Sequence, residues 1–433
     1  MRPFLLIIIF WLIIKAPILA AASTDMTIIY SGNLDGELEP CGCTLEGDMG
    51  GIKRRGTIVD ELRKASPKLF LISSGGLIVS YATSDRLTSE YILKGFEALD
   101  YDAIGVQWQD LSYGTEFIQT AHLPWVASNW QGDQFSSYKL IEHGDRKLAF
   151  FSWLDPAAES QMMTSASAFQ KRTRARTGIL KNNLAKAKSK NALTVLATSL
   201  DYETALVSIP LKHVDILIIK SAYEKYAEPK MVEDTLVLEP GSRGMRLGRL
   251  DITLDIDNHI KSFKHQLIPM PSSVIDSPRM EEWYAEYNDR VKQAYLKSAE
   301  IRKAVEFGKR NYVGADACKG CHQSAYNIWS KSQHAKAFDS LALVNKAFDP
   351  NCIICHTVGF DKEGGYIDYE DTAHLTDVQC ESCHGAARKH VISNGKTAPE
   401  QHQWPKKKIC IQCHTQKNSP NFKLDSYWPM ISH

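Results

Sequence analysis

No cysteine occurs between Cys43 and Cys318 in this 433-residue sequence, which excludes a disulfide scaffold spread along the chain. Charge imbalance is also small, with a formal net charge of +1 at pH 7, and the common nucleic-acid-binding motifs are absent. Beyond the N-terminus there is no apolar run long enough to span a bilayer. We therefore predict neither a nucleic-acid partner nor a stable membrane span.

The N-terminus has the features of an export signal. Arg2 supplies a positive charge, residues 4–14 form an apolar run, and residues 20–22 are small alanines suited to cleavage. Eleven apolar residues are too few for a transmembrane helix, which needs about 20. We expect residues 1–22 to be a cleaved signal peptide and the mature protein to be periplasmic or extracellular. An uncleaved N-terminal anchor is the alternative.

The C-terminal part of the chain concentrates soft ligands, because eight of the ten cysteines lie there. They form four C-x-x-C-H motifs: Cys318/Cys321/His322, Cys352/Cys355/His356, Cys380/Cys383/His384 and Cys410/Cys413/His414. In such a motif two thiols bond the vinyl groups of one haem, and the histidine ligates its iron. Structural zinc does not require a histidine after every second cysteine, and disulfides do not repeat this spacing. The sequence predicts four covalently bound haem c groups, which would form much of the core of this part.

A second set of histidines could supply the sixth iron ligand. The candidates outside the motifs are His334, His374, His390, His402 and His433. Each could offer a neutral imidazole nitrogen to iron. The residues alone do not choose among them.

Residues 310–433 resemble the cytochrome c554 family of tetrahaem electron carriers. The similarity is carried by residues 316–318, Trp329 with residues 334–338, residues 348–350, residues 378–385, and the tail at 418–420 and 427–433. The resemblance implies that His334, His390 and His433 are sixth ligands. It also implies that the second iron, bound by His356, is five-coordinate, and it gives His374 and His402 no role. His433 could alternatively bind the iron of a neighbouring molecule.

Residues 26–270 alternate apolar runs with helical stretches, which predicts a layered α/β domain. The predicted strands are residues 26–30, 69–73, 103–106, 193–198 and 214–219. The predicted helices are residues 57–64, 89–99 and 169–187. Residues 247–254 and 259–268 are expected to close the domain as an antiparallel hairpin.

This N-terminal part resembles the calcineurin-like metallophosphatases of the 5'-nucleotidase branch, through residues 29–38, 50–55, 241–244 and 247–250. The resemblance implies a two-metal site, yet the metal-binding motifs fall on residues that do not suit it. These residues are Asn33, Asp35, Gly75, Gly76, Gln107, Ser199, Ser221 and Tyr223. We therefore predict a phosphatase-like fold without phosphatase activity, in which the remaining histidines are ordinary surface or loop residues: His122, His143, His213, His259 and His265.

Cys41 and Cys43 form a separate thiol pair in the loop after the first strand. A local disulfide or two buried thiols would explain the pair without a function. A redox-active pair or a soft-metal site for Cu(I) or Zn is the functional alternative.

The predicted organisation has four parts: a signal peptide (1–22), a metallophosphatase-like domain lacking metal ligands (23–272), a linker helix (273–309) and a tetrahaem domain (310–433). The predicted function is electron transfer between redox partner proteins, with oligomers or polymers left open. The alternative is a redox enzyme that acts on a small nitrogen, sulfur or oxygen species at a five-coordinate haem. The N-terminal domain could also be a docking module for partners.

Overall fold

The computed structural model describes residues 26–41, 48–81, 85–158, 172–221, 226–306 and 308–433. The predicted signal peptide lies outside them. Strands dominate up to Pro269, and short helices joined by loops follow the long helix Glu281–Val305. This confirms the predicted fold class, a layered α/β part followed by a mainly helical part.

The first sheet has six strands in the order β14-β13-β1-β4-β5-β6. Their bounds are Met26–Ser31 (β1), Phe70–Ser73 (β4), Ala103–Gly105 (β5), Trp125–Val126 (β6), Arg246–Leu254 (β13) and Ile260–Pro269 (β14). Neighbouring strands from β1 to β6 are parallel, whereas β13 pairs with β1 and β14 in antiparallel register. The predicted closing hairpin is therefore β13–β14.

The second sheet also has six strands, in the order β11-β12-β10-β9-β8-β7. Their bounds are Lys139–His143 (β7), Arg146–Trp153 (β8), Leu193–Thr198 (β9), Ile216–Ile218 (β10), Ala227–Val232 (β11) and Thr235–Glu239 (β12). Of these, the sequence predicted β9 and β10. The short strands Pro40–Cys41 (β2) and Met49–Gly50 (β3) pair separately.

The two sheets pack face to face, and helices cover their outer faces. Successive strand residues point to opposite faces, so Ile28 and Tyr30 of β1 join the core between the sheets while Ile29 faces the helices. Phe150 of β8 and Val195 of β9 enter the same inner core from the second sheet. Each such buried apolar side chain contributes roughly 1.5–3 kcal/mol. The result is a four-layered N-terminal domain.

Helices Ile52–Ala65, Asp85–Leu99, Thr115–Ile118, Gly178–Ser189 and Tyr202–Ser208 belong to this domain. The first helix begins five residues earlier than predicted, directly after Gly51, whose φ of 91° favours glycine. For the helix predicted at residues 169–187, the described residues show a helix that begins at Gly178. Its buried Leu180 and Leu184 cover the second sheet.

The helix Glu281–Val305, called the connecting helix below, is part of the core. Tyr287, Val291, Tyr295 and Ala299 recur every four residues and are buried. The Tyr295 hydroxyl donates to the Ile367 carbonyl at 2.9 Å. One continuous apolar cluster therefore runs from the N-terminal domain through this helix into the C-terminal part.

The C-terminal part contains little regular structure. Its α-helices are Asp316–Lys319, Gln323–Trp329, Ala337–Leu343, Pro350–His356, Tyr369–Thr372, Cys380–His384, Arg388–Ile392, Lys406–Cys410 and Leu424–Tyr427. Within the described ranges, no helix is both long and apolar enough to cross a membrane.

Candidate functional site

Each C-x-x-C-H motif lies on or beside a short helical turn. The His322 amide donates to the Cys318 carbonyl at 2.9 Å, and His414 makes the same bond to Cys410. Asp349 caps the turn Pro350–His356 by accepting a hydrogen bond from the Asn351 amide at 3.0 Å. One helical turn thus brings both thiols and the imidazole of a motif together, as attachment to a single haem requires.

The eight motif cysteines differ in burial. Seven are partly buried, whereas Cys321 of the first motif is exposed. The reason is its position, because residues 319–324 are all exposed and form the outer side of the first turn. The Cys321 amide still donates to the Cys318 carbonyl at 3.3 Å, so this cysteine belongs to the same turn as Cys318 and His322.

Three motif histidines face a second histidine from elsewhere in the chain. The ring centroids are 6.0 Å apart for His322 and His390, 6.2 Å for His414 and His334, and 5.8 Å for His384 and His433. A histidine nitrogen lies about 2.0 Å from a bound metal ion, so two imidazoles on opposite faces of one ion have centroids roughly 6 Å apart. All three pairs fit an iron held between two imidazoles.

Backbone and side-chain groups orient these rings. The Nδ1 atom of His390 lies 2.9 Å from the Thr397 carbonyl oxygen, and that of His433 lies 3.1 Å from the Ile431 carbonyl oxygen. The Nδ1 atom of His414 lies 3.0 Å from the Ser419 hydroxyl. Because a carbonyl only accepts, Nδ1 of the first two rings must carry the proton, which leaves Nε2 free to bind metal.

His356 of the second motif is held in the same way but differs in its surroundings. Its Nδ1 atom donates to the Ala337 carbonyl at 2.6 Å, so its Nε2 atom is also available. Within the part of the chain that the structure describes, no second histidine ring faces it at the spacing of the other three pairs. The second motif therefore offers one axial imidazole where the others offer two.

The remaining candidates, His374 and His402, are both exposed. His374 uses its carbonyl to accept a hydrogen bond from the Gln379 side chain at 2.9 Å. His402 is near enough to His384 to affect it electrostatically. Neither ring forms a close pair with a motif histidine among the described residues.

Burial favours neutral imidazole in three of the six paired histidines. Desolvation lowers the pKa of His334, His384 and His414 below the usual histidine range, and the neighbouring His414 and His433 lower the pKa of His334 and His384 further. Iron binds the neutral form of histidine. The site therefore needs little proton release from these rings for ligation.

Thiols of different motifs lie next to one another, which gives the spatial order of the motifs. The Cys318 thiol of the first motif is in hydrogen-bond contact with Cys380 of the third, and Cys355 of the second with Cys413 of the fourth. Burial, together with the neighbouring Cys410 of the fourth motif, raises the pKa of the Cys383 thiol of the third to about 11. The motifs therefore follow one another in the order first, third, fourth, second.

The segment just before the Cys41–Cys43 pair contacts the C-terminal part at two points. Glu39 forms an ion pair with the buried Lys346 at 2.7 Å, six residues before Cys352. Glu37 forms an ion pair with Lys417 at 2.8 Å. The first loop of the N-terminal domain is thus fixed between the second and fourth motifs. Cys43 itself and the side chain of Cys41 lie outside the described residues.

The position of the expected two-metal site contains a network of amide side chains. Asn33 and Gln107 exchange hydrogen bonds at 2.8 and 3.2 Å. Asp35 accepts from Asn33 and from Gln109, both at 3.2 Å. Across the described residues, no group of three or more His, Cys, Asp or Glu side chains could hold a metal ion.

The backbone around Gly76 also leaves little space at this site. Gly76, where the phosphatase motif would place a metal-binding aspartate, has a φ of +68°, and a Cβ there would lie 2.6 Å from the Asn33 side chain. Asp110 turns inward and accepts hydrogen bonds from the Gly76 and Leu77 amides at 2.8 and 2.6 Å. Ser221 accepts from the Gly241 amide at 2.8 Å. These hydrogen bonds engage residues on which the expected metal-binding motifs fall.

We expect the purified protein to contain no stoichiometric divalent metal other than haem iron and to hydrolyse no phosphate ester, even with added Mn²⁺ or Zn²⁺. Two-metal hydrolysis requires ligands that clamp both metal ions, and the amide network does not provide them. Elemental analysis and a nitrophenyl phosphate assay would check this. Two tightly bound Mn²⁺ or Zn²⁺ ions with turnover would contradict it.

Two of the five N-terminal histidines correct a prediction. The His265 side chain is buried, with its Nε2 atom 2.8 Å from the Tyr30 hydroxyl, and His143 stacks on Phe70 with centroids 4.6 Å apart. Both lie in strands rather than in loops, and their rings pack beside aromatic neighbours, which leaves the His143 side chain half-buried.

The C-terminal region is similar to c-type cytochromes, a class of proteins that carry covalently bound haem c. Residues 317–385 match the family described as cytochrome c554 and c-prime. Cytochrome c-554 of Nitrosomonas europaea is 35% identical over 92 residues, which cover 18% of this chain and 39% of that protein. The chain thus matches about two fifths of this curated relative's length, and the predicted resemblance of the C-terminal part is confirmed.

The N-terminal part is similar to solved hydrolase structures. Sulfate thiohydrolase SoxB of Thermus thermophilus, in complex with glycerol, has a TM-score of 0.54 and 14% identity, covering 63% of this chain and 61% of that one. A 5'-nucleotidase precursor, also of Thermus thermophilus, has a TM-score of 0.53 and 16% identity, covering 63% and 59%. The chain thus spans about three fifths of each. At these identities the comparison confirms the predicted fold of the N-terminal part and nothing more.

Proposed function

We propose that this chain is an exported tetrahaem cytochrome that transfers electrons between redox partner proteins. The observation that carries the proposal is the set of three histidine ring pairs spaced for iron, together with four attachment motifs in contact. Bound haem supplies one-electron oxidation and reduction. The chain's own contribution is to hold the attachment sites in a row and to fix the axial imidazoles.

The axial ligands follow from the ring pairs. We assign His390 to the first site, His433 to the third and His334 to the fourth, each opposite the histidine of its motif. The second site has His356 alone and keeps one open axial position. Such a position would also be needed for chemistry on a small molecule, but the cytochrome comparison supports electron transfer.

In the order first, third, fourth, second, the third and fourth motifs lie between the first motif and the second. Cys380 and Cys383 of the third motif are near the first and fourth motifs respectively. Cys413 of the fourth motif then contacts Cys355 of the second. Close spacing of this kind suits stepwise electron transfer in either direction along the row.

Haem counting tests the proposal. We expect the intact mass of the exported protein to exceed that of the polypeptide by four haems. We expect the variant Cys380→Ala/Cys383→Ala to carry three, because each motif bonds its own haem through two thioethers. The matched control Cys41→Ala/Cys43→Ala removes two cysteines outside the motifs and should retain four.

Electron transfer is measured on the same proteins. Fully reduced protein should release four electrons on titration with an oxidant, and the Cys380→Ala/Cys383→Ala variant should release three. A wild-type protein with fewer than four haems, or one whose haems do not cycle between oxidation states, would contradict the proposal.

A further inference from the structure

The last 46 residues of the chain are strongly basic. Residues 388–433 contain eight lysine or arginine residues and two acidic residues, although the whole chain is nearly neutral. Three of the lysines, Lys406, Lys407 and Lys408, are exposed on the turn that leads into Cys410 of the fourth motif. Positive charge is therefore concentrated beside one attachment site.

A second segment brings another lysine to the same surface. The Lys406 ammonium lies 4.4 Å from the ring centre of Trp428, which joins the turn 406–410 to the C-terminal tail. The exposed Lys423 is on this tail, and the Tyr427 amide donates to its carbonyl. We call Lys406, Lys407, Lys408 and Lys423 the basic patch.

The described carboxylates do not neutralise the lysines of the basic patch. In the described ranges, none of its four lysines lies within ion-pair distance of a carboxylate. By contrast, Lys417, on the same part of the chain, forms an ion pair with Glu37 of the N-terminal domain. The charges of the patch are thus left to act on groups outside this chain.

Apolar side chains are exposed within the basic patch. Ile411, Tyr427 and Met430 are exposed to 47%, 41% and 70%. Protein interfaces combine an apolar or aromatic centre with a charged rim, and complementary charge mainly accelerates association. A lysine rim around these residues suits a protein whose own surface is acidic.

The surface is also close to two iron sites. Tyr427 lies 6.1 Å from His414, ring centre to ring centre, and the tail continues to His433, which faces His384. We propose that the basic patch is the docking surface for an acidic redox protein, which exchanges electrons at the fourth and third haem sites. This inference rests on the proposed electron-transfer function.

The test compares two variants of the holoprotein that carry the same change in net charge. Lys406→Glu/Lys407→Glu/Lys408→Glu reverses the patch. Lys181→Glu/Lys186→Glu/Lys190→Glu reverses three exposed lysines on or beside the helix Gly178–Ser189 of the N-terminal domain. The reductants are a purified acidic flavodoxin and neutral reduced lumiflavin, followed by stopped-flow absorbance of the haems.

At low salt the patch variant should be reduced by flavodoxin about tenfold more slowly, since electrostatic steering raises association rates by 10-fold or more. The control variant should change less than about twofold, and lumiflavin should reduce all three proteins equally. Added salt should slow the wild type and nearly abolish the difference.

Equal flavodoxin rates for the wild type and the patch variant would overturn the inference, as would equal slowing in both variants. Binding of vesicles containing phosphatidylserine that is lost in the patch variant, with an unchanged flavodoxin rate, would overturn it in favour of a membrane surface. If lumiflavin failed to reduce the wild-type haems, the result would contradict the proposed electron-transfer function. The lumiflavin rate therefore separates failure of the proposed function from failure of this inference.

Discussion

Replacing His433 with alanine is expected to convert one low-spin ferric iron into a high-spin iron, so that the oxidised protein contains two high-spin irons instead of one. The His433 ring lies 5.8 Å from His384, and the Ile431 carbonyl orients it. Removing it leaves His384 as the single axial imidazole, which gives a high-spin centre. Low-temperature electron paramagnetic resonance counts both kinds of iron.

His402→Ala is the matched control, because His402 is the other non-motif histidine close to His384. Its spectrum should equal that of the wild type, with three low-spin irons and one high-spin iron. The opposite pattern, with a change in His402→Ala and none in His433→Ala, would transfer the ligand role to His402. Four low-spin irons in the wild type would mean that the second site is not open.

His433 could also reach the iron of a neighbouring molecule, and the same variant separates the two cases. Ligation within one chain predicts that His433→Ala leaves the size of the particle unchanged. Ligation between chains predicts that an oligomer of the wild type dissociates in the variant, which size-exclusion chromatography would detect.

Lys346→Met is expected to lower the free energy of unfolding of the holoprotein by about 3 kcal/mol. The reason is that removing this lysine leaves the carboxylates of Glu39 and Asp349 without their cation. Lys346 is buried, and its ammonium lies 2.7 Å from Glu39, 2.7 Å from Asn288 and 3.6 Å from Asp349. Burial alone would lower its pKa, but Glu39 and Asp349 outweigh this and raise it. A raised lysine pKa contributes stability below about pH 10, and this contribution is lost only as pH rises through the folded pKa.

Lys417→Met provides the comparison, since Lys417 pairs with Glu37 of the same segment but is more than half exposed. Exposed ion pairs contribute about 0–1 kcal/mol, so this variant should lose less than about 1 kcal/mol. Urea unfolding followed by far-ultraviolet circular dichroism measures both. Equal losses, or no loss for Lys346→Met, would show that the Glu39–Lys346 contact does not hold the two parts together.

Four candidate haem sites could be proposed from the sequence because each needs only two thiols and an imidazole within five residues. The contacts between the motifs could not be predicted, since they depend on how distant segments pack. Cys318 meets Cys380 across 62 residues that carry no periodic signal. The contact between Glu39 and Lys346 spans 307 residues and was missed for the same reason.

Two of the missed strands illustrate different explanations. Ala227–Val232 lies at a sheet edge with mostly exposed or half-buried side chains, so it lacks the apolar run by which a strand is recognised. Arg146–Trp153 does contain such a run, in which Leu148 to Trp153 are all buried, and its prediction as a strand was possible.

The linker helix was predicted at residues 273–309, but the side chains that it buries were not. Ile301 and Val305 are exposed to 58% and 68%, whereas Tyr295 and Ala299 are buried. Hydrophobicity alone would favour burial of the more apolar pair. Tyr295 is buried because its hydroxyl reaches the Ile367 carbonyl, a partner that local sequence cannot reveal.

Because the connecting helix buries one end against the phosphatase-like layers and the other against the loops that carry the C-x-x-C-H motifs, a cut near residue 309 would pass through a shared interior. The N-terminal piece would keep the helix, but Tyr295 would lose the Ile367 carbonyl that its hydroxyl contacts. The C-terminal piece would lose the helix against which its apolar side chains pack. We therefore expect each piece alone to expose apolar surface that the whole chain buries.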